Sequence, residues 1–134
     1  MISTIVLERV KYLPRELEPG ILYVSEEYAV AGHLCACGCG KKVITPLAPA
    51  EWTLFDRHAR PTLRPSIGNW QLSCRSHYLI TNGKIQWAGQ WSEAQIIAGR
   101  KVEQQRREDY YASLNTNHSF LHWLRKLARK LFGL

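Results

Sequence analysis

All four cysteines of the chain and one of its histidines fall into two short clusters, Cys35-Ala36-Cys37-Gly38-Cys39-Gly40 and Cys74-Arg75-Ser76-His77. Thiolate sulfur and imidazole nitrogen suit a borderline-soft cation such as zinc, which takes four ligands in a tetrahedron. Two distant runs of closely spaced donors therefore restrict the fold, because both must converge on one ion. Gly38 and Gly40 ease the backbone of the loop that wraps it. The expected ligands are Cys37, Cys39, Cys74 and His77, with Cys35 as the substitute and His33 a weaker sixth donor. Spacing leaves the final choice of four open. Disulfides are the poorer reading, since cysteines one residue apart point to opposite strand faces and rarely bridge each other. No apolar signal segment opens the sequence, and thiols kept for a metal fit a cytoplasmic protein.

A chain of 134 residues with 46% hydrophobic content forms one compact core and leaves no room for a second full domain. No apolar run approaches the roughly 20 residues that span a bilayer. The formal charge of +7 is unevenly spread. Residues 1–91 hold ten Lys/Arg against seven Asp/Glu, residues 92–118 four against four, and residues 119–134 four against none. More than half of the excess thus sits on the last sixteen residues, a balance that suits nucleic acid, anionic lipid or an acidic protein without choosing among them.

The expected class is α+β: a small β-rich zinc-binding domain over 1–91, then helices. Short strand candidates are Ile21–Val24, Tyr28–Val30, Val43–Thr45, Trp52–Phe55, Tyr78–Thr81 and Lys84–Trp87. Asn82-Gly83 between two apolar runs predicts a tight hairpin. Ser92 stands three residues before Gln95, a capping box that starts a mostly solvated helix over 92–112, packed on the same domain. Asn115-Thr116-Asn117 reads as a break, giving a linker over 113–118. Residues 119–134 form a basic amphipathic helix, with Phe120, Leu124, Leu127, Leu131 and Leu134 on one side and Arg125, Lys126, Arg129 and Lys130 on the other. Such a helix packs on its own domain, docks into a partner groove or lies on an anionic membrane as a peripheral contact.

Taken together, Tyr23-Val24-Ser25, His33-Leu34-Cys35-Ala36-Cys37-Gly38-Cys39-Gly40, Thr45-Pro46-Leu47, Pro65-Ser66-Ile67-Gly68-Asn69-Trp70, Cys74-Arg75-Ser76-His77-Tyr78 and Trp87-Ala88 resemble the signature of a bacterial family of predicted metal-binding proteins. Its members are often encoded beside ubiquitin-like proteins and their E1-like, E2-like and JAB-peptidase-like enzymes. The resemblance implies a metal-binding accessory protein of a ubiquitin-like conjugation pathway, with protein partners from that pathway and an adaptor, ligase-like or antiviral defence role.

Three function classes follow. A cysteine-rich set that fills four places favours a structural zinc and a binding module over an enzyme, because catalytic zinc keeps an open position. The alternative is a zinc-dependent hydrolase with His33 or His58 as base. A zinc-ribbon nucleic-acid module would draw on Arg57, Arg60, Arg64 and Arg75 near Trp52 and Trp70. The stretch Pro65–Trp70 reads as a tight connection that delivers Cys74 and His77 to the metal. Ser66 lacks the nucleophile-elbow motif.

Overall fold

The computed structural model describes residues 1–132, with the side chains of 116–121 and 128–132 outside the description. Eight strands precede one helix: β1 Val6–Arg9, β2 Ile21–Ser25, β3 Val30–Leu34, β4 Lys42–Pro46, β5 Thr53–Arg57, β6 Arg60–Gly68, β7 His77–Thr81, β8 Lys84–Trp87 and α1 Glu93–Phe132. They make two four-stranded sheets in the orders β1-β2-β3-β4 and β5-β6-β7-β8. Among the paired strands of the described residues, β1–β2 alone is parallel. The chain divides into two compact units, Met1–Ile96 and Ile97–Leu134.

In the first unit, apolar side chains of both sheets meet: Leu22, Val24 and Ala31 from one, Leu63, Ile67, Tyr78 and Ile80 from the other, with Ile5 and Cys35. The N-terminal segment stitches the sheets together. Ile5 N–H donates to the Gly83 carbonyl at 2.9 Å, Leu7 N–H to that of Ala59 at 3.0 Å, and Ile85 N–H to that of Ser3 at 3.0 Å. The Asn82-Gly83 turn closes β7 onto β8 with φ of 47° and 75°, the left-handed pair that such a hairpin needs.

The expected strand Tyr28–Val30 meets β3 only at Val30, because 26–29 form the turn after β2, and two strands escape the sequence altogether. In β1 only Leu7 is buried, so Val-Leu-Glu-Arg carries too little alternation to be seen. Nine-residue β6 contains Pro61 and Pro65, residues that argue against a strand interior. Pro65 is accommodated because the β6–β7 register shifts between Leu63 and Ile67, where Pro65 needs no ladder partner. The expected tight connection over 65–70 is therefore, through Gly68, part of a strand.

The capping box forms: Ser92 N–H donates to Gln95 Oε1 at 2.8 Å and Gln95 N–H to Ser92 Oγ at 3.2 Å. The helix does not break at 113–118. Asn and Thr cost at most about 0.7 kcal/mol each relative to Ala inside a helix, and no proline lies beyond Pro65 to stop it. In the second unit Ile97, Val102, Tyr111, Leu114 and Trp123 are exposed. Of the expected apolar stripe over 119–134, the side chains of Phe120, Leu121, Ala128, Leu131 and Phe132, and all of Gly133 and Leu134, lie outside the described residues. Among the described residues no helix is long and apolar enough to cross a membrane.

Candidate functional site

β3 ends one residue before Cys35, and the chain then turns sharply through the first cluster. Cys35 N–H donates to the Lys41 carbonyl at 2.9 Å and Gly38 N–H to that of Cys35 at 3.1 Å. Gly38 and Gly40 hold φ of 91° and 79°, which L side chains resist. Cys74 arrives from the other sheet, three residues ahead of β7. The four thiol sulfurs lie within 4.8 Å of one another. Cys35 Sγ is 3.5 Å from Cys37 Sγ and 3.8 Å from Cys74 Sγ, and Cys39 Sγ is 3.9 Å from Cys74 Sγ.

Those distances test the fit to a metal. An ion bonded to four thiolates at about 2.3 Å sets S···S edges of about 3.8 Å in a tetrahedron. Three of the six edges are at that spacing and the rest lie within 4.8 Å, so Cys35, Cys37, Cys39 and Cys74 suit one ion. The surroundings prepare it unevenly. Burial pushes the Cys37 thiol up to about 12, helped by Cys39 and Cys35. At Cys74 burial also opposes ionisation, but the Ser76 hydroxyl and backbone, with Cys37 and Cys35, outweigh it and bring the thiol down to about 7. Ser76 Oγ lies 3.0 Å from Cys35 Sγ and 3.6 Å from Cys74 Sγ, and accepts from Asn69 Nδ2 at 2.9 Å.

Neither histidine joins this group. His33 is fully buried, with Nε2 2.7 Å from the Tyr78 hydroxyl, and burial lowers it to about 4. Its Nδ1 has no partner among the described residues. His77, expected as a ligand, is turned to the other face of β7. Neighbouring strand residues point to opposite faces, so Ser76 looks toward the sulfurs and His77 away from them. There His77 Nε2 meets Ser66 Oγ at 2.9 Å and Nδ1 meets the Gly89 carbonyl at 2.9 Å.

This second pair fixes its own protonation. A carbonyl only accepts, so Nδ1 carries the hydrogen and Nε2 is free to accept the Ser66 hydroxyl proton. Gly89 is held by flanking bonds, Ala88 N–H to the His77 carbonyl at 2.9 Å and Gln90 Nε2 to that of Arg75 at 3.0 Å. The indoles of Trp70 and Trp91 flank the imidazole, each with its ring centroid 5.0 Å away, and stack on one another at 5.6 Å. Gly68 lies opposite His77 in the β6–β7 ladder, and a Cβ there would meet Trp70 Nε1 at 2.6 Å. His77 is buried, whereas Ser66 is half-buried and reachable.

Of the four arginines expected to contact nucleic acid, Arg57 and Arg60 are exposed, and the other two are engaged within the fold. Arg64 donates to the carbonyls of Leu63 and Ile80 and to Thr81 Oγ1 at 2.8–3.0 Å. Arg75 pairs with Glu93 at 3.0 Å and lies over Trp70.

Ser66 thus lies in a strand and not in the expected connection, and His77 pairs with it and not with the cysteines. One signal was available: four cysteines already complete a tetrahedron, which leaves the histidine spare.

Fold and site together describe a small α+β domain with a four-cysteine centre and, beside it, a serine–histidine pair. The chain belongs to the bacterial family described as bacterial ubiquitination-like system serine protease (BubE), whose model matches residues 9–88. No curated protein and no solved structure matches it.

Proposed function

We propose that this protein is a serine protease of a bacterial ubiquitination-like system, with Ser66 as nucleophile, His77 as general base and acid, and the Gly89 carbonyl as the group that orients His77. The observation that carries the reading is the 2.9 Å contact between Ser66 Oγ and His77 Nε2 in the required tautomer. The family description supports the reaction class.

Attack proceeds from Ser66 Oγ on a peptide carbonyl carbon as its proton passes to His77 Nε2. The C–N bond then breaks, and the leaving amine takes that proton. Water, deprotonated by the same nitrogen, hydrolyses the acyl ester and restores the Ser66 hydroxyl. The imidazolium formed in between is stabilised by the Gly89 carbonyl and by the two indoles around it. Partners are proteins of the same system, as its substrates.

The four cysteines bind zinc in this reading, for soft sulfur donors at tetrahedral spacing select it over harder ions. Four thiolates leave it no open vertex, so the ion supplies folding energy and no chemistry. A purely adaptor role would leave the serine–histidine bond without a use.

A fluorophosphonate probe tests this reading. Ser66 of the metal-loaded protein should be modified, with Ser66→Ala and His77→Asn unlabelled and still folded. Modification at another serine, or equal labelling of His77→Asn, would refute it.

A further inference from the structure

Hydrogen bonds at the start of β7 fix which way each peptide group faces. Asn69 N–H donates to the Ser76 carbonyl at 2.8 Å, and Ala88 N–H to that of His77 at 2.9 Å. Successive peptide groups of a strand point to opposite edges. Ser76 and Tyr78 therefore face β6, and His77 faces β8. On β6, Ile67 and Asn69 face β7, so Gly68 turns its N–H and C=O groups, and Ser66 its C=O, to the other side.

β5 occupies that side only in part. Its pairing with β6 ends at Thr53 opposite Arg64. One residue earlier the chain has left for the other sheet, where Trp52 N–H donates to the Pro46 carbonyl at 3.1 Å and Leu47 bridges Trp52. Past Arg64, β6 runs on for four residues, Pro65 to Gly68, with β7 as its one strand neighbour among the described residues. Neither Ser66 nor Gly68 has a strand partner on the open side, and both are half-buried.

We propose that Pro65–Gly68 is an open strand edge on which an extended stretch of substrate polypeptide docks, with Gly68 pairing its main chain and the Ser66 N–H meeting the oxygen of the carbonyl under attack. This rests on the Ser66–His77 reading above. Strand addition takes its affinity from main-chain bonds and requires an extended partner. The substrate class is thus an unstructured tail or linker, since helices and closed sheets have no free peptide groups to offer. Pairing in register also holds the scissile bond beside the nucleophile, the condition for efficient attack.

The test uses the metal-loaded full chain and a tetra-alanyl diphenyl phosphonate, compared with versions methylated on one amide nitrogen at a time. A small fluorophosphonate without a peptide serves as control, and formation of the Ser66 adduct is timed by intact mass spectrometry. The small probe should label Ser66. Methylation of the amide that pairs with Gly68 should slow peptide labelling about tenfold or more, the equivalent of one lost hydrogen bond in a dry site, while the neighbouring amides tolerate it. Labelling by the small probe together with equal rates for every methylated peptide would overturn the edge. Failure of the small probe to label would instead overturn the serine–histidine reading on which it rests.

Discussion

Ser76→Ala removes one oxygen from a buried network and should loosen the metal centre more than its size suggests. The Ser76 hydroxyl accepts from Asn69 Nδ2 at 2.9 Å, so its own hydrogen is free for a sulfur, and Cys35 Sγ at 3.0 Å is the nearer of two. Both Ser76 and Asn69 are buried. Loss of a hydrogen bond to a metal ligand typically costs 10- to 100-fold in affinity, about 1.4–2.7 kcal/mol. The Asn69 amide, left with only the longer contact to Cys35 Sγ at 3.7 Å, costs about 1 kcal/mol more. Because metal binding and folding are coupled, and the two effects share one atom, roughly 2–4 kcal/mol in total is expected. For a domain of this size that lowers Tm by roughly 8–16 °C. Differential scanning fluorimetry with chelator competition measures both quantities. The double variant Asn69→Ala/Ser76→Ala should cost less than the sum of the single ones, because both single changes remove the same Asn69–Ser76 bond. Metal affinity within about threefold of the parent, with Tm unchanged, would refute the network.

Two further perturbations probe the rest of the site. Gly68→Ala drives a methyl to 2.6 Å from Trp70 Nε1, so the indole must shift against His77; we expect a roughly 10- to 100-fold loss in the Ser66 labelling rate in a folded protein, with a change in tryptophan fluorescence as the structural readout. His33 titrates at about 4 in the folded state against 6.5 in the unfolded chain because burial disfavours its charge. The unfolded state therefore takes up the proton first as pH falls. Stability is full above pH 6.5, declines between 6.5 and 4, and loses about 3 kcal/mol across that window. Comparison of Tm against pH for the parent and His33→Gln isolates this slope, and parallel curves would exclude it.

How much of this could be read in the sequence depends on whether a signal was local. The Asn82-Gly83 turn and the Ser92/Gln95 cap are both set by residues a few positions apart, and both form as expected. The convergence of the cysteines was legible because soft donors in two clusters admit few other fates. Which donors converge was not, since a Cys-x-x-His run looks the same whether the histidine turns toward the sulfurs or away. That choice is made by the β7 pleat, which puts Ser76 and His77 on opposite faces. The pair with Ser66 was hidden for a similar reason. It depends on Gly68 lying opposite His77 across a shifted register, and the two prolines of β6 masked the strand altogether. The helix was legible at its capped start, whereas the break expected at Asn115-Thr116-Asn117 overestimated what weak helix formers do without a proline or glycine.

The short run from Cys74 to His77 would give an ion held by the four cysteines a specific structural task. Cys74 is the one sulfur donor outside the 35–39 loop, so an ion on all four ties the end of β3 to the entry of β7, one sheet to the other. Ser76 extends that tie through Asn69 to the segment after β6. His77 follows at once and takes its place opposite Gly68 and against Ser66. A domain of short strands has a modest apolar core, and without the ion four thiols would face one another where burial already resists ionisation of Cys37. Cys37→Ser and Cys74→Ser should therefore lose metal and solubility together. Chelation of the parent should abolish Ser66 labelling over the same range in which the thermal transition collapses. A metal-free protein that keeps its transition but no longer labels would assign the ion to the chemistry instead, contrary to a closed four-thiolate shell.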